Sequence, residues 1–301
     1  MKLLYFLLLI ITITSCNTVK TTSSNLPNQN TIQLQELSQL APALTETSGL
    51  VYNKGYLITH NDSGDTPTLY LINSLGKIVD TKTYSNMQAV DWEDITKDNT
   101  HLFIADIGNN RGNRKDLVIY KIALKDIENT SAAVTALHFT YPDQTSFIKG
   151  NQDHSFDAES IIAIDDYLYV FSKDWKNQIT TIYQLNKDEE YQIAKKIMSY
   201  PVNGLITGAT YNDTDTVMLC GYQSDLTPFV YQIDYKNGMF TFNHKEELPI
   251  TGGAQVEGIT YASTKNGVTT YYVSCEATRI KLGEEEAKSP AYLFKLLWQE
   301  E

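Results

Sequence analysis

Glu46-Thr47-Ser48-Gly49-Leu50, Asp91-Trp92-Glu93-Asp94-Ile95, Asp157-Ala158-Glu159-Ser160-Ile161, Leu205-Ile206-Thr207-Gly208-Ala209 and Gln255-Val256-Glu257-Gly258-Ile259 stack on one another without internal gaps. After each comes a run such as Tyr56-Leu57-Ile58-Thr59 or Tyr167-Leu168-Tyr169-Val170, then an aromatic-x-aliphatic triplet: Tyr70-x-Ile72, Tyr120-x-Ile122, Tyr183-x-Leu185, Tyr231-x-Ile233 and Phe294-x-Leu296. The column Ser48, Glu93, Glu159, Thr207 and Glu257 has spacings of 45, 66, 48 and 50 residues. Each interval holds four short strands joined by Gly- and Asn-rich turns, which is the content of one propeller blade.

Working outward, strands are expected at 48–53, 56–60, 68–73 and 77–84, then at 94–97, 101–105, 117–122 and 134–141. The third set is 160–164, 167–171, 180–185 and 191–199, and the fourth is 209–211, 216–221, 229–234 and 239–247. The fifth has only 258–262, 269–274 and 291–297, while the alternating segment 31–40 has no neighbour before it. Residues 31–40 therefore complete the last blade, closing the ring so that no sheet edge is left unpaired there. The expectation is an all-β, five-bladed propeller over residues 31–301. A six-bladed ring is the runner-up, and it requires another blade within residues 93–158, where only about four strand-like runs occur. Segments 107–116, 142–156 and 277–290 read as loop insertions.

Twenty Tyr among 301 residues, with many Val, Ile and Thr, favour strands over helices. The formal charge of −12 disfavours nucleic-acid partners, whose phosphates it repels. At the start, Lys2 and an apolar run to Ile11 lead into Ile13-Thr14-Ser15-Cys16. This reads as a lipoprotein signal peptide over residues 1–15, with lipidation at Cys16 and a polar tether over 16–30. It implies a lipid anchor in a bacterial cell envelope, with the outer membrane as the expected location. Cys220 and Cys275 are expected to be buried thiols, because they lie one residue out of register on corresponding strands.

Two columns are candidates for chemistry, since both open on one rim of the channel. The first precedes the inner strands and contains Glu46, Asp91, Glu93, Asp157, Glu159 and Glu257, with Ser48, Thr207 and Gln255. Carboxylates gathered at a hub must bind a cation, share protons or meet basic groups. All-oxygen donors favour calcium in the central channel, and the alternative is a latch between blades made by hydrogen bonds to backbone amides. The second column follows the second strands: Asn61 and Asp62; Asp106, Asn109 and Asn110; Ser172, Lys173 and Asp174; Gly221 and Tyr222; Cys275 and Glu276. It differs in every blade, as an asymmetric ligand site on a symmetric scaffold requires. Within it, Asp106-Ile107-Gly108-Asn109-Asn110 reads either as an anion nest or as a bulge turning the chain outward, and Trp175 is a candidate to stack on a ligand. Trp92 is expected between blades, and His60 and His154 are read as structural histidines.

The set Glu46–Leu50, Asn61-Asp62-Ser63-Gly64, Asp91–Ile95, Asp106–Asn110, Tyr141-Pro142-Asp143 and Phe156–Ser160 resembles a family of β-propeller lipoproteins and secreted proteins of Bacteroidetes and related bacteria. The likeness covers about residues 31–297 and implies fold and location, but no activity. Glu46–Leu50, Tyr56-Leu57-Ile58 and Trp92-Glu93 more faintly resemble the calcium-dependent nucleotidases of apyrase type, which are five-bladed with calcium in the channel. That resemblance implies Ser48, Glu93, Glu159 and Glu257 as metal ligands. The chain departs from it at Thr207, where an acidic residue is replaced, and offers only Lys173, Arg111, Arg114 and Arg279 for phosphate.

The expected function is a tethered binding module for a glycan, peptide or envelope partner, or for a small molecule, on the channel rim. The alternative is a calcium-dependent hydrolase of a phosphate or other ester. There Asp62, Asp106 or Glu276 would take a proton from water, and Lys173 or Arg114 would balance negative charge.

Overall fold

The computed structural model describes residues 31–62, 64–282 and 285–299. The expected signal peptide, tether and Cys16 lie outside the described residues. Five sheets surround an axis, each built on four antiparallel strands that run from an inner strand a to an outer strand d, with one further strand on the edge of blade two. Blade one comprises Thr47–Asn53, Tyr56–Asn61, Thr68–Ile72 and Ile78–Thr83, and blade two Trp92–Lys97, His101–Asp106, Val118–Ala123 and Val134–Thr140. Blade three is Ala158–Ile164, Tyr167–Ser172, Ile179–Asn186 and Lys195–Pro201, and blade four Leu205–Tyr211, Thr216–Tyr222, Pro228–Lys236 and Met239–Glu247. Blade five is Val256–Lys265, Val268–Cys275 and Tyr292–Gln299, with Thr31–Gln39 as its outer strand. The inner strands touch in a closed circle, each against those of the two neighbouring blades.

Thr31 pairs with Gln299 and Gln39 with Tyr292, so the N-terminal strand closes the ring as expected. The hydrophobic residues fall into five clusters, one at each seam between blades. Alternation along a strand explains this. In Leu102-Phe103-Ile104-Ala105, Leu102 and Ile104 enter the seam with blade one, and Phe103 and Ala105 the seam with blade three. Both sheet faces are buried, so these strands are apolar on both sides. Cys220 and Cys275 are buried free thiols, and Trp92 fills the first seam with its indole N–H on the Gln88 carbonyl at 2.8 Å.

Three expectations need correction. The strand anticipated at 191–199 divides at buried Ala194, whose N–H donates to the Thr140 carbonyl at 2.9 Å. Tyr191–Ile193 thereby leaves blade three and adds a parallel fifth strand to the edge of blade two. Within the segment read as a loop, Thr278–Leu282 and Glu285–Ser289 pair as a hairpin. The inner strands also begin earlier than expected, because the acidic phrases belong to the strands themselves. The ladder passes from Trp92↔Asp106 to Asp94↔Ala105, from Ala158↔Ser172 to Ser160↔Phe171, and from Val256↔Cys275 to Gly258↔Ser274.

Candidate metal centre

Glu93, Glu159, Thr207 and Glu257 are each the extra residue of a β-bulge at the same height in their blades. A bulge re-aims the unpaired residue away from the regular alternation. In blade one the corresponding shift spans Ser48 to Val51, with Gly49 at φ 60°. One rung above the bulges, the second strands contribute their own column. Asp62 donates its N–H to the Glu46 carbonyl, Gly108 to Asp91, Lys173 to Asp157 and Glu276 to Gln255, while Tyr222 pairs with Leu205. Four equivalent positions thus carry Asp62, Lys173, Tyr222 and Glu276 around one mouth, while in blade two the bond comes from Gly108, one residue beyond the matching Ile107.

Among the described residues, two carboxylate groups have oxygens within 4.8 Å of one another: Asp62, Asp91 and Glu93, and Glu93, Asp157 and Glu159. Glu93 belongs to both. It is 2% exposed, and its Oε1 has no hydrogen-bond partner. Gly108 makes room for this arrangement, since a Cβ there would lie 2.0 Å from Glu93 Oε1 and 2.4 Å from Asp91 Oδ2.

The second group is largely satisfied from within the protein. Asp157 Oδ1 accepts the Asn109 N–H at 2.7 Å and Oδ2 accepts the Trp175 indole N–H at 2.9 Å. The anion received by the Gly108-Asn109 turn is therefore Asp157. Lys173 donates to Glu159 Oε2, and its ammonium lies 4.5 Å from the Trp175 ring centre and 5.4 Å from that of Tyr222. Arg114 is turned elsewhere, donating to Asp106 Oδ1 and to the Gly108 carbonyl, each at 2.9 Å, and to Asp116 at 3.1 Å. Asp106 also accepts the N–H groups of Val90 and Asp91 at 3.1 and 3.0 Å. It braces the loop that leads into the inner strand.

Ser48 donates its hydroxyl to the Glu93 carbonyl, and Thr207 does the same to Val256. Of the residues expected as metal ligands, Glu93 and Glu159 stand in the two carboxylate groups and Glu257 does not, while the Ser48 hydroxyl is spent on the Glu93 carbonyl. Asp62, expected to accept a proton, stands in the first group. His60 is wholly buried edge-on to Trp92, with ring centres 5.5 Å apart, and burial lowers it to about 4. His154 joins two loops, bonding the Asn110 carbonyl and the Phe156 N–H.

Burial, with Asp62 and Asp157 as neighbouring charges, raises Asp91 to about 7. Burial raises Glu257 to about 8 against the opposing charge of Lys173, and raises Glu276, with Asp62 beside it, to about 7. Glu93 is held well above the usual carboxylate range, first by burial and then by Asp62 and Glu159. Burial opposes charge on Lys173, but Glu159, Tyr222, Glu257 and Asp157 together hold the ammonium above its ordinary value.

One residue of the hub escaped the sequence reading. Asp94 accepts the N–H of Ile95 and, across the seam, that of Ile161, both at 2.8 Å. The amide of Ala209 in blade four also interacts with it, and burial pushes its carboxyl well up. The latch between blades is thus made here. Its signal was present, because Asp94 stands in a column otherwise composed of Gly49, Ser160, Gly208 and Gly258.

The mouth continues into a cleft of about 340 Å³ lined by Trp175, Gln178, Leu205, Tyr222, Gln223, Ser224, Leu226 and Gln255. At the other end, inner-strand residues including Leu50, Ile95, Ala209 and Tyr261 leave a small void of about 30 Å³. A larger cavity of about 850 Å³ opens on that far rim, around Lys54, Lys97, His101 and Lys121, away from the carboxylates.

No family model matches the chain, and no curated protein matches it. Among solved structures, the PQQ-bound form of aldose sugar dehydrogenase (Adh) from Streptomyces coelicolor is similar over 91% of this chain and 99% of that one, at 10% identity and TM-score 0.48. Apo AztD from Citrobacter koseri is similar over 77% of this chain and 57% of its own, at 10% identity and TM-score 0.40. A second AztD structure from that organism matches over 80% and 61%, again at 10% identity and TM-score 0.40. Likenesses this distant say nothing about the site.

Proposed function

We propose that this protein is a cation-dependent binding module, holding calcium at Asp62, Asp91 and Glu93 and taking a ligand at the mouth beside it. The observation that carries this reading is Glu93 Oε1, an orphaned oxygen on a side chain that is 2% exposed and crowded by other carboxylates. Burying such a group without a donor is costly, and a cation removes both the missing bond and the mutual repulsion. Gly108 preserves the space. The donors are all oxygens, which suits a hard ion, and their spread within 4.8 Å is spanned by two calcium–oxygen bonds of roughly 2.3–2.6 Å.

The adjoining cleft offers apolar faces from Trp175, Leu205 and Leu226 beside the amides of Gln178, Gln223 and Gln255. That mixture suits a glycan or peptide segment, with polar groups to orient it. The hydrolase reading has one specific support: Glu276, raised by burial and by Asp62 to about 7, is poised as a proton acceptor near neutral pH. Against it, Asp106, Arg114 and Lys173 are engaged in internal pairs.

Attachment through a lipidated Cys16, with the outer membrane as its location, belongs to the same proposal. Thr31, paired with Gln299, lies at the rim opposite the carboxylates. A tether entering there would leave the acidic mouth facing away from the membrane.

Elemental analysis and calcium titration of the full-length protein test this reading, followed by glycan and peptide binding with and without chelator. Bound calcium and chelator-sensitive ligand binding, both lost in Glu93→Gln, are the expected results. Chelator-sensitive ester or nucleotide turnover would select the hydrolase, and absence of tight metal would overturn both readings.

A further inference from the structure

We infer that Lys173 is a built-in cation that keeps the second carboxylate group closed, so that the hub takes one divalent ion where its carboxylates are arranged for two. The inference rests on the cation reading of Asp62, Asp91 and Glu93, and adds that Glu93, Asp157 and Glu159 form a latent second site.

The two groups share Glu93 but differ in how the protein has treated the remaining oxygens. In the second group, Glu159 receives the Lys173 ammonium, and Asp157 receives one N–H on each oxygen. The ammonium is itself confined. It is 4% exposed and faces both the Trp175 and Tyr222 rings, whose π faces attract a cation. Trp175 acts twice, since its indole N–H holds Asp157 while its ring holds Lys173.

Arg114 does not take this part, since it gives its hydrogen bonds to Asp106, Asp116 and the Gly108 carbonyl. A lysine suits the closing role because its ammonium is a compact point charge, the nearest side-chain substitute for a metal ion. Removing it leaves Glu159 buried at 4% exposure beside Glu93 and Asp157. A second calcium ion then replaces the ammonium, with two ions set among the five carboxylates of the combined groups.

Calcium titration calorimetry and elemental stoichiometry on the full-length protein provide the test, with thermal midpoints measured in calcium and in chelator. One ion per chain is expected in the unaltered protein and in Lys173→Arg, and two in Lys173→Met, whose lowered midpoint in chelator is restored by calcium. The double variant Lys173→Met with Glu159→Gln, which lacks both charges, is expected to return to one ion. That reversal separates a charge effect from general damage.

Two ions in the unaltered protein, or one in a folded Lys173→Met, would overturn the inference while leaving the first site intact. No ion in the unaltered protein would overturn the first site itself. Lys173→Gln serves the same titration if the methionine variant does not fold. Failure of both to fold in calcium also counts against the inference, because the ion is expected to replace the ammonium.

Discussion

Asp94 Oδ2 accepts the Ile161 N–H at 2.8 Å, so a side chain of blade two completes a backbone hydrogen bond of blade three. Its other oxygen accepts the N–H of Ile95. Asp94→Ala removes the acceptor of the Ile95 and Ile161 N–H groups and the interaction with the Ala209 amide, at a cost of about 2–4 kcal/mol. Urea unfolding of the variant should show that loss, while the number of calcium ions bound by the folded protein stays unchanged. A loss under about 0.5 kcal/mol, typical of ordinary surface changes, would remove Asp94 from the closure of the ring.

Gly108→Ala tests the carboxylate arrangement without strain at the backbone, because the φ of Gly108 is not positive. The new methyl group must displace Glu93 or Asp91, from which it would stand only 2.0 and 2.4 Å away. Calcium affinity should fall at least tenfold, equivalent to about 1.4 kcal/mol. Gly238→Ala is a poor comparison because Gly238 has φ 80°, so Asn109→Ala, which keeps the backbone N–H to Asp157, is the better control. Unaltered affinity in Gly108→Ala would place the ion elsewhere.

The titration of the hub predicts an unusual pH profile for the calcium-free protein. Asp91, Glu257 and Glu276 are raised to about 7, 8 and 7, so the folded state binds more protons than the unfolded one from about pH 4 upward. Their contribution to stability is present below the unfolded values and is lost as pH rises through 7 to 8. His60 acts at the other end. Lowered to about 4, it favours the folded state above pH 6.5, and that contribution of roughly 3 kcal/mol is lost as pH falls through 6.5 to 4. Denaturation in chelator should therefore show stability declining from pH 6 to 8, and calcium should abolish the decline while releasing protons into a weakly buffered solution. A chelated protein whose stability is flat from pH 6 to 8 would contradict this account.

Deleting residues 31–39 removes the outer strand of blade five and leaves the Tyr292–Gln299 edge unpaired. It also uncovers part of the seam around Phe294, Leu296 and Trp298, against which Ile32 and Leu34 pack. Soluble monomer should be lost in favour of aggregates, which size-exclusion chromatography reads directly. A monomeric, cooperatively folding deletion variant would show that the ring does not depend on this strand.

The repeat that begins with Glu46–Leu50 exposed the blade number and the missing outer strand because blade composition is local: turns, apolar alternation and chain length recur in each unit. The parting of Tyr191–Ile193 from Lys195–Pro201 was hidden, since it depends on which sheet edge each half meets. Asp94 was legible as the odd member of a column of small residues, but its partner Ile161 was not. The second column could be read as polar and variable. That Lys173 answers Glu159 while Arg114 turns to Asp106 could not, because the choice depends on which carboxylate each cation meets in space.

The chain by itself determined the wheel: five phrases, period-two burial and a displaced terminal strand leave few other ways to cover both faces of every sheet. Only the tertiary structure decided which carboxylates share a cation-sized space. Bulges turn Glu93 and Glu159 inward, Gly108 leaves room beside Glu93, and the seams set the distance between blades. Electrostatic coupling depends on those distances through space, which linear spacing does not contain.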